Sequence, residues 1–300
     1  MRLAALIFLL MGGCTSAFVG AGLHADSGSG ALLDAGAEDA GQVMDAGAQP
    51  DAGSAPDAGV PAAEPSPGCQ ATLQLPEGVQ TLTLNAVERR FIVRLPANYT
   101  PSRPWPLVLA LHPNGSDATY WDVTTGERDM RAEVRDHALL VIAEARTGDW
   151  RTEVQLDRTY FDAVVDRVKG KLCVDVKRIF SMGFSGGGSY SGVLGCYRTD
   201  IRAIAVGGAV VYFEPAACVG NPAAWITIGT DELIDARAQY RDFWRTRNGC
   251  SAELTPTSPA PCAAYTCPDA ARPVQFCEHP GGHIWPNFGT QAAWAFFAQF

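Results

Sequence analysis

The 300-residue sequence contains no Cys-x-x-Cys pair and no Cys/His grouping at metal-ligand spacing. That pattern argues against a zinc site, and no metal or other cofactor is expected. A membrane-spanning run is also missing at the N-terminus. The apolar stretch Leu3–Met11 falls well short of the roughly 20 residues needed to cross a bilayer. Basic surplus is absent as well, since the formal charge is −9. Much of that charge sits in one place: Thr15 to Gly68 holds eight acids and neither Lys nor Arg. Eight of the 32 acids and one of the 23 bases precede Cys69, leaving 24 against 22 beyond it, a net of −2. A nearly neutral body with no basic stripe excludes a nucleic-acid partner.

What is present at the N-terminus reads as an address. Arg2, the apolar run and Gly12-Gly13-Cys14 resemble a secretory signal with a lipoprotein-type cleavage site, although Met11 stands where Leu is usual. Residues 1–13 are therefore expected to be a signal peptide and Cys14 the lipidated residue, tethering an exported protein to the cell envelope. The next segment repeats Asp-Ala-Gly at 34–36, 45–47, 51–53 and 57–59. It offers little apolar surface to offset its ordering entropy, so residues 14–68 are expected to be a disordered spacer. The irregular spacing of the repeats argues against a calcium-binding array.

Setting Cys14 aside, eight cysteines remain: Cys69, Cys173, Cys196, Cys218, Cys250, Cys262, Cys267 and Cys277. An even set in an exported domain implies up to four disulfides among 105 possible connectivities, which spacing alone does not resolve. The four between Cys250 and Cys277 precede His283 and are expected to staple the loop that carries it.

From Cys69 to residue 300 the texture is that of one folded domain. Leu82–Leu84 and Arg90–Leu95 alternate like early antiparallel strands. Pro106–Leu111 and Ala138–Ala143 are continuous apolar runs, as expected of strands covered on both faces. Leu156–Leu172 predicts a helix with Leu156, Tyr160, Val164 and Val168 on its buried side. Strand 178–184, helix 186–196, strands 201–206 and 224–228, helix 235–247, strand 274–277 and helix 291–300 follow. Alternating strands and helices predict an α/β fold, a mainly parallel central sheet with helices on both faces.

One run carries chemistry. Gly183-Phe184-Ser185-Gly186-Gly187 is a G-x-S-x-G between an apolar strand and a helix. In that context the serine sits on a strained strand-to-helix turn with its hydroxyl above the sheet. Ser181 and Ser189 flank the turn without occupying it. A serine nucleophile needs a base, and in this fold the order along the chain is Ser, acid, His. That order passes over His112 and His137, and His24 lies in the spacer. His283, on the loop Gly281-Gly282-His283-Ile284-Trp285-Pro286, is the expected base in preference to His279. For the acid, Ile228-Gly229-Thr230-Asp231-Glu232 places Asp231 just past a strand, with Glu232 and Asp235 as rivals. The oxyanion donors are expected to be the backbone amides of Gly186 and of Asn114, because Pro113 has no N–H. His112 is read as a structural ring buttressing that loop.

Residues 90 to 290 resemble the α/β-hydrolase esterase family that includes polyhydroxybutyrate depolymerases and feruloyl esterases. The matching stretches are Phe91–Pro96, Pro106–His112, Cys173–Gly187, Ile228–Asp231 and Gly281–Pro286. Two departures stand out: His112-Pro113 replaces His-Gly, and Ile228-Gly229-Thr230-Asp231 reads as His-Gly-Thr-x-Asp with a residue missing. The resemblance implies a metal-free acyl-enzyme mechanism on hydroxycinnamate, acetate or hydroxyalkanoate esters. A tethered enzyme on a long spacer suits a polymeric substrate met outside the cell, so feruloyl or acetyl esters of plant polysaccharide are expected, with a polyhydroxybutyrate or hydroxyalkanoate depolymerase as the alternative. Trp150 and Trp285 are expected as walls of an aromatic acyl pocket, with a place in the core as the alternative reading. A serine peptidase and a catalytically silent surface-binding protein are the readings from other classes.

Overall fold

The computed structural model describes residues 62–72 and 74–300. The signal segment, Cys14 and nearly all of the expected spacer lie outside these residues. Ten strands form one sheet, in the order β1-β2-β4-β3-β5-β6-β7-β10-β9-β8. They are β1 (Gly78–Leu84), β2 (Val87–Arg94), β3 (Trp105–Leu111), β4 (Leu139–Ala143) and β5 (Val174–Phe184). The second half comprises β6 (Ile201–Gly207), β7 (Ala223–Gly229), β8 (Leu254–Pro256), β9 (Cys262–Tyr265) and β10 (Val274–His279). The six from β4 to β10 in that order run parallel. At both edges the pairing turns antiparallel, through β2 and β1 on one side and β9 and β8 on the other. The expected mainly parallel sheet is present, within a mixed whole.

Burial explains the parallel centre. Every residue of β3, β4 and β7 is buried, so these strands read as unbroken apolar runs rather than alternating ones. Alternation persists in where the side chains go. Leu107, Leu109 and Leu111 pack with Tyr160, Val164, Tyr190 and Trp244, which belong to α3 (Val154–Lys171), α4 (Gly186–Tyr197) and α5 (Asp235–Arg247). Val108 and Ala110 pack with Trp121, Val134 and Phe296 on the opposite face, from α1 (Thr119–Val123), α2 (Met130–Val134) and α6 (Gly289–Phe297). Helices therefore cover both faces.

Three expectations are corrected. The folded body begins before Cys69. Glu64 to Gly68 lie along the start of β5, where the Ser66 amide donates to the Val174 carbonyl (2.8 Å) and its hydroxyl to the Leu172 carbonyl (2.9 Å). These backbone partners left no trace in a composition that still reads as spacer. On α3, Leu156 is 54% exposed, and the buried side includes Asp157, Tyr160, Phe161, Val164, Val165 and Val168. The periodicity was shifted because Asp157 is buried against Arg89, 2.7 Å away. Third, the stretch between the helix expected at 235–247 and the strand expected at 274–277, to which the sequence assigned no element, contains β8 and β9.

The eight cysteines form four disulfides, Cys69–Cys173, Cys196–Cys218, Cys250–Cys267 and Cys262–Cys277. The last joins opposed residues of β9 and β10. It fixes the strand that leads directly into the His283 loop.

Candidate active site

The carboxyl ends of β3, β5, β6, β7 and β10 converge, the usual place for a site in an open α/β sheet. At the end of β5 the chain turns sharply, and Ser185 occupies φ 55° and ψ −119°. A non-glycine residue there is strained by one or more kcal/mol and persists only where its surroundings impose it. Here they do. A Cβ at Gly183 would lie 2.4 Å from the Gly187 backbone, and one at Gly187 2.2 Å from the Leu111 carbonyl oxygen. The strand and helix approach so closely that only glycine fits, and the Ser185 amide is tied to the Gly207 carbonyl at 2.8 Å. Ser189 locks the turn further, donating to the Ser185 carbonyl and accepting from the Val210 amide.

The turn delivers the serine hydroxyl to His283, with Nε2 2.7 Å from Oγ. The other ring nitrogen, Nδ1, contacts Oε2 of Glu232. A carboxylate only accepts, so Nδ1 carries the proton and Nε2 is free to accept from the serine. The Phe184 ring lies 4.7 Å from the imidazole, centroid to centroid.

Glu232, not Asp231, meets the histidine. Thr230–Glu232 form one 3-10 turn after β7, in which successive side chains point about 120° apart. The Asp231 amide donates to the Gly281 carbonyl at 3.0 Å, and its side chain is exposed. The next residue turns inward: Glu232 is 7% exposed and accepts from the Gly229 amide. Asp235, the other rival, is exposed at the start of α5. The supposed missing residue disappears too. Ile228-Gly229-Thr230-Asp231-Glu232 runs position for position along His-Gly-Thr-x-Asp, with Asp231 at the free position and a longer carboxylate at the acid position.

Arg237, which no motif singled out, completes this corner. Its Nε lies 3.1 Å from Glu232 Oε2 and 3.2 Å from the Gly208 carbonyl oxygen, while Nη2 is 3.2 Å from His283 Nδ1. The histidine loop is held by close backbone approach, since a Cβ at Gly229 would meet the carbonyl oxygens of Gly281 and Gly282 at 2.3 and 2.4 Å.

Gly186 and Asn114 also come together. A Cβ at Gly186 would fall 1.8 Å from Asn114 Oδ1, so the asparagine side chain lies directly over the first turn of α4. It is held there by Asp149, which accepts from Nδ2 at 2.8 Å, and by the Trp150 amide, which donates to Oδ1 at 3.1 Å. Tyr212 places its hydroxyl 3.4 Å from the same Nδ2. Beneath, His112 is fully buried, and burial lowers its pKa. The neutral ring donates from Nδ1 to the Pro113 carbonyl and accepts at Nε2 from the Ala145 amide (2.8 and 3.1 Å). The proline that replaces glycine is thereby built into the loop.

The tryptophans are not walls. Trp150 and Trp285 are 0% and 1% exposed, and each indole N–H already has an internal acceptor, the His112 carbonyl and the Thr290 hydroxyl. Such rings are satisfied core. Trp285 instead underpins the site from below Gly207, with Trp121 edge-on at 5.3 Å. Apolar surface near the histidine and acid comes from their chain neighbours Ile284, Leu233 and Ile234, all exposed.

A doubly covered sheet with this turn and imidazole at its carboxyl edge defines the chain as an α/β-hydrolase. No family model matches it. Over 275 residues it is 30% identical to feruloyl esterase D of Neurospora crassa, covering 80% of this chain and 92% of the relative. Among solved structures it is similar to an acetyl xylan esterase from Aspergillus awamori, with a TM-score of 0.57 and 13% identity over 74% of this chain and all of that one. A CE1 ferulic acid esterase from Anaeromyces mucronatus, solved with ferulic acid, gives a TM-score of 0.53 at 15% identity, covering 80% and 92%. The chain belongs to the feruloyl esterase family and is a carboxylic ester hydrolase, a serine esterase.

Proposed function

We propose that Ser185, His283 and Glu232 form the catalytic triad of an exported esterase acting on feruloyl or acetyl esters of plant polysaccharide. The observation that carries this reading is the 2.7 Å approach of His283 Nε2 to Ser185 Oγ with Glu232 on the opposite ring nitrogen. His283 removes the serine proton as Oγ attacks the ester carbonyl, and Glu232 stabilises the imidazolium that forms. The oxyanion is received by the amides of Gly186 and Asn114. Gly186 opens α4, where the amides lack intrahelical partners and the helix dipole favours negative charge. The imidazolium then protonates the departing alcohol, and water activated by the same ring releases the acid.

The substrate class rests on the family and on the relatives' own names, a feruloyl esterase and an acetyl xylan esterase. Four disulfides in one domain fit an oxidising compartment outside the cytosol. We place the enzyme there, with Cys14 as its lipid anchor and the Asp-Ala-Gly-rich segment that follows as the tether. Purified enzyme assayed on methyl ferulate, acetylated xylan, hydroxybutyrate oligomers and a peptide anilide tests the reading. Turnover of the first or second is expected. Turnover confined to hydroxybutyrate oligomers or the anilide overturns the substrate class.

A further inference from the structure

Arg237 sits where helix chemistry disfavours it. It lies in the first turn of α5, and a cation near a helix N-terminus opposes the macrodipole. Its side chain is 16% exposed and runs back to the triad rather than out to water. There it makes two productive contacts, with Glu232 Oε2 at 3.1 Å and the Gly208 carbonyl oxygen at 3.2 Å. The third contact, Nη2 to His283 Nδ1 at 3.2 Å, is of another kind. Guanidinium nitrogens only donate, and Nδ1 already donates to Glu232, so two donors face each other. That approach is mildly unfavourable while the ring is uncharged and more strongly repulsive once it is protonated. Among the described residues, the ionisable side chains against His283 are Glu232 and Arg237, one favouring the imidazolium and the other opposing it.

We propose that Arg237 is a positioning residue that acts on both partners of the acid–histidine pair. Its guanidinium fork sits against the Glu232 carboxylate and the Gly208 carbonyl through Nε, and places its positive charge beside Nδ1 of His283. This rests on the triad reading above. It gives the longer glutamate, which has one more rotatable bond than aspartate, a fixed aim.

The test is the pH profile of kcat/KM on 4-nitrophenyl acetate, using the full chain and normalising to serine titrated by a fluorophosphonate. The acid limb of that profile follows protonation of the base. Arg237→Gln removes charge and fork together. Its plateau is expected to fall roughly tenfold through kcat with KM little changed, and its acid limb to move to higher pH by about half a unit or more. Arg237→Lys keeps the charge and loses the fork, so its rate falls while its acid limb stays near the native position. A purely structural role would lower the titratable serine and leave the normalised profile unmoved. That result, or a rate loss in Arg237→Gln without a shifted limb, overturns the proposal. If Arg237→Gln does not fold, Arg237→Lys decides: a native normalised rate rejects the fork. Ser185→Ala separates the two readings. If that variant is inactive while Arg237→Gln matches the native profile, only Arg237 loses its role; if Ser185→Ala remains active, the triad reading itself fails.

Discussion

The two turns that meet at His283 are built on different principles. At the serine turn the backbone decides. Gly183 and Gly187 each sit where a Cβ would overlap backbone atoms within 2.4 Å, and the close approach they permit, with the Ser185 amide tied to the Gly207 carbonyl, holds Ser185 in its strained conformation. At the acid turn the side chains decide. Asp231 and Glu232 are adjacent carboxylates on one 3-10 turn, and which one faces the imidazole depends on the Gly281 carbonyl that captures the Asp231 amide. A backbone constraint is written in glycines and is visible in any sequence. A choice between adjacent side chains is made by a loop fifty residues away.

The largest effect that sharpens this contrast is expected at the acid. Glu232→Gln should lower kcat/KM by about 10³- to 10⁴-fold by losing the hold on the tautomer and the imidazolium. Asp231→Asn, an exposed change, should stay within about twofold. Steady-state kinetics on one activated ester compares them, and reversed magnitudes would return the acid role to Asp231. The next effect separates volume from dihedral. Gly187→Ala drives a methyl into the Leu111 carbonyl and should cost about 3 kcal/mol or more. Gly281, at φ +91° with open space around it, should cost only about 1–2 kcal/mol as alanine. Urea unfolding measures both, and similar losses would deny the distinction.

The smallest effect lies outside the site and has the same side-chain origin. Burial pushes the Asp157 carboxyl up to about 6, although Arg89 opposes the shift from 2.7 Å. Between the unfolded value near 4 and about 6, the folded chain therefore holds a proton that the unfolded chain releases. Stability from this group falls as pH rises through that window. The difference in Tm, native minus Asp157→Asn, should accordingly shrink from pH 4 to pH 6. A difference that grows would mean the Arg89 pair outweighs burial.

What could be read in advance follows the same division. Runs such as Pro106–Leu111 and Ala138–Ala143 announced strands buried on both faces, and the G-x-S-x-G announced its turn, because sterics and hydrophobic burial act through local sequence. The α3 face was misjudged at Leu156 because Asp157 is buried by a distant arginine. Trp150 and Trp285 were assigned to a pocket because an aromatic side chain looks the same in a core as in a cleft until its N–H partner is known. Arg237 gave no signal, being one arginine among several on a polar helix. A useful clue was nonetheless present at the acid: aligning Ile228–Glu232 without a gap puts the carboxylate one residue later.

The measurement closest to the central claim is site mapping of a fluorophosphonate adduct by peptide mass spectrometry, with Ser185→Ala and Glu232→Gln run beside the native chain. Labelling confined to the peptide carrying Ser185, abolished in Ser185→Ala and greatly slowed in Glu232→Gln, is the expected result. An adduct on another serine, or a rate indifferent to Glu232, would contradict the assignment of this triad.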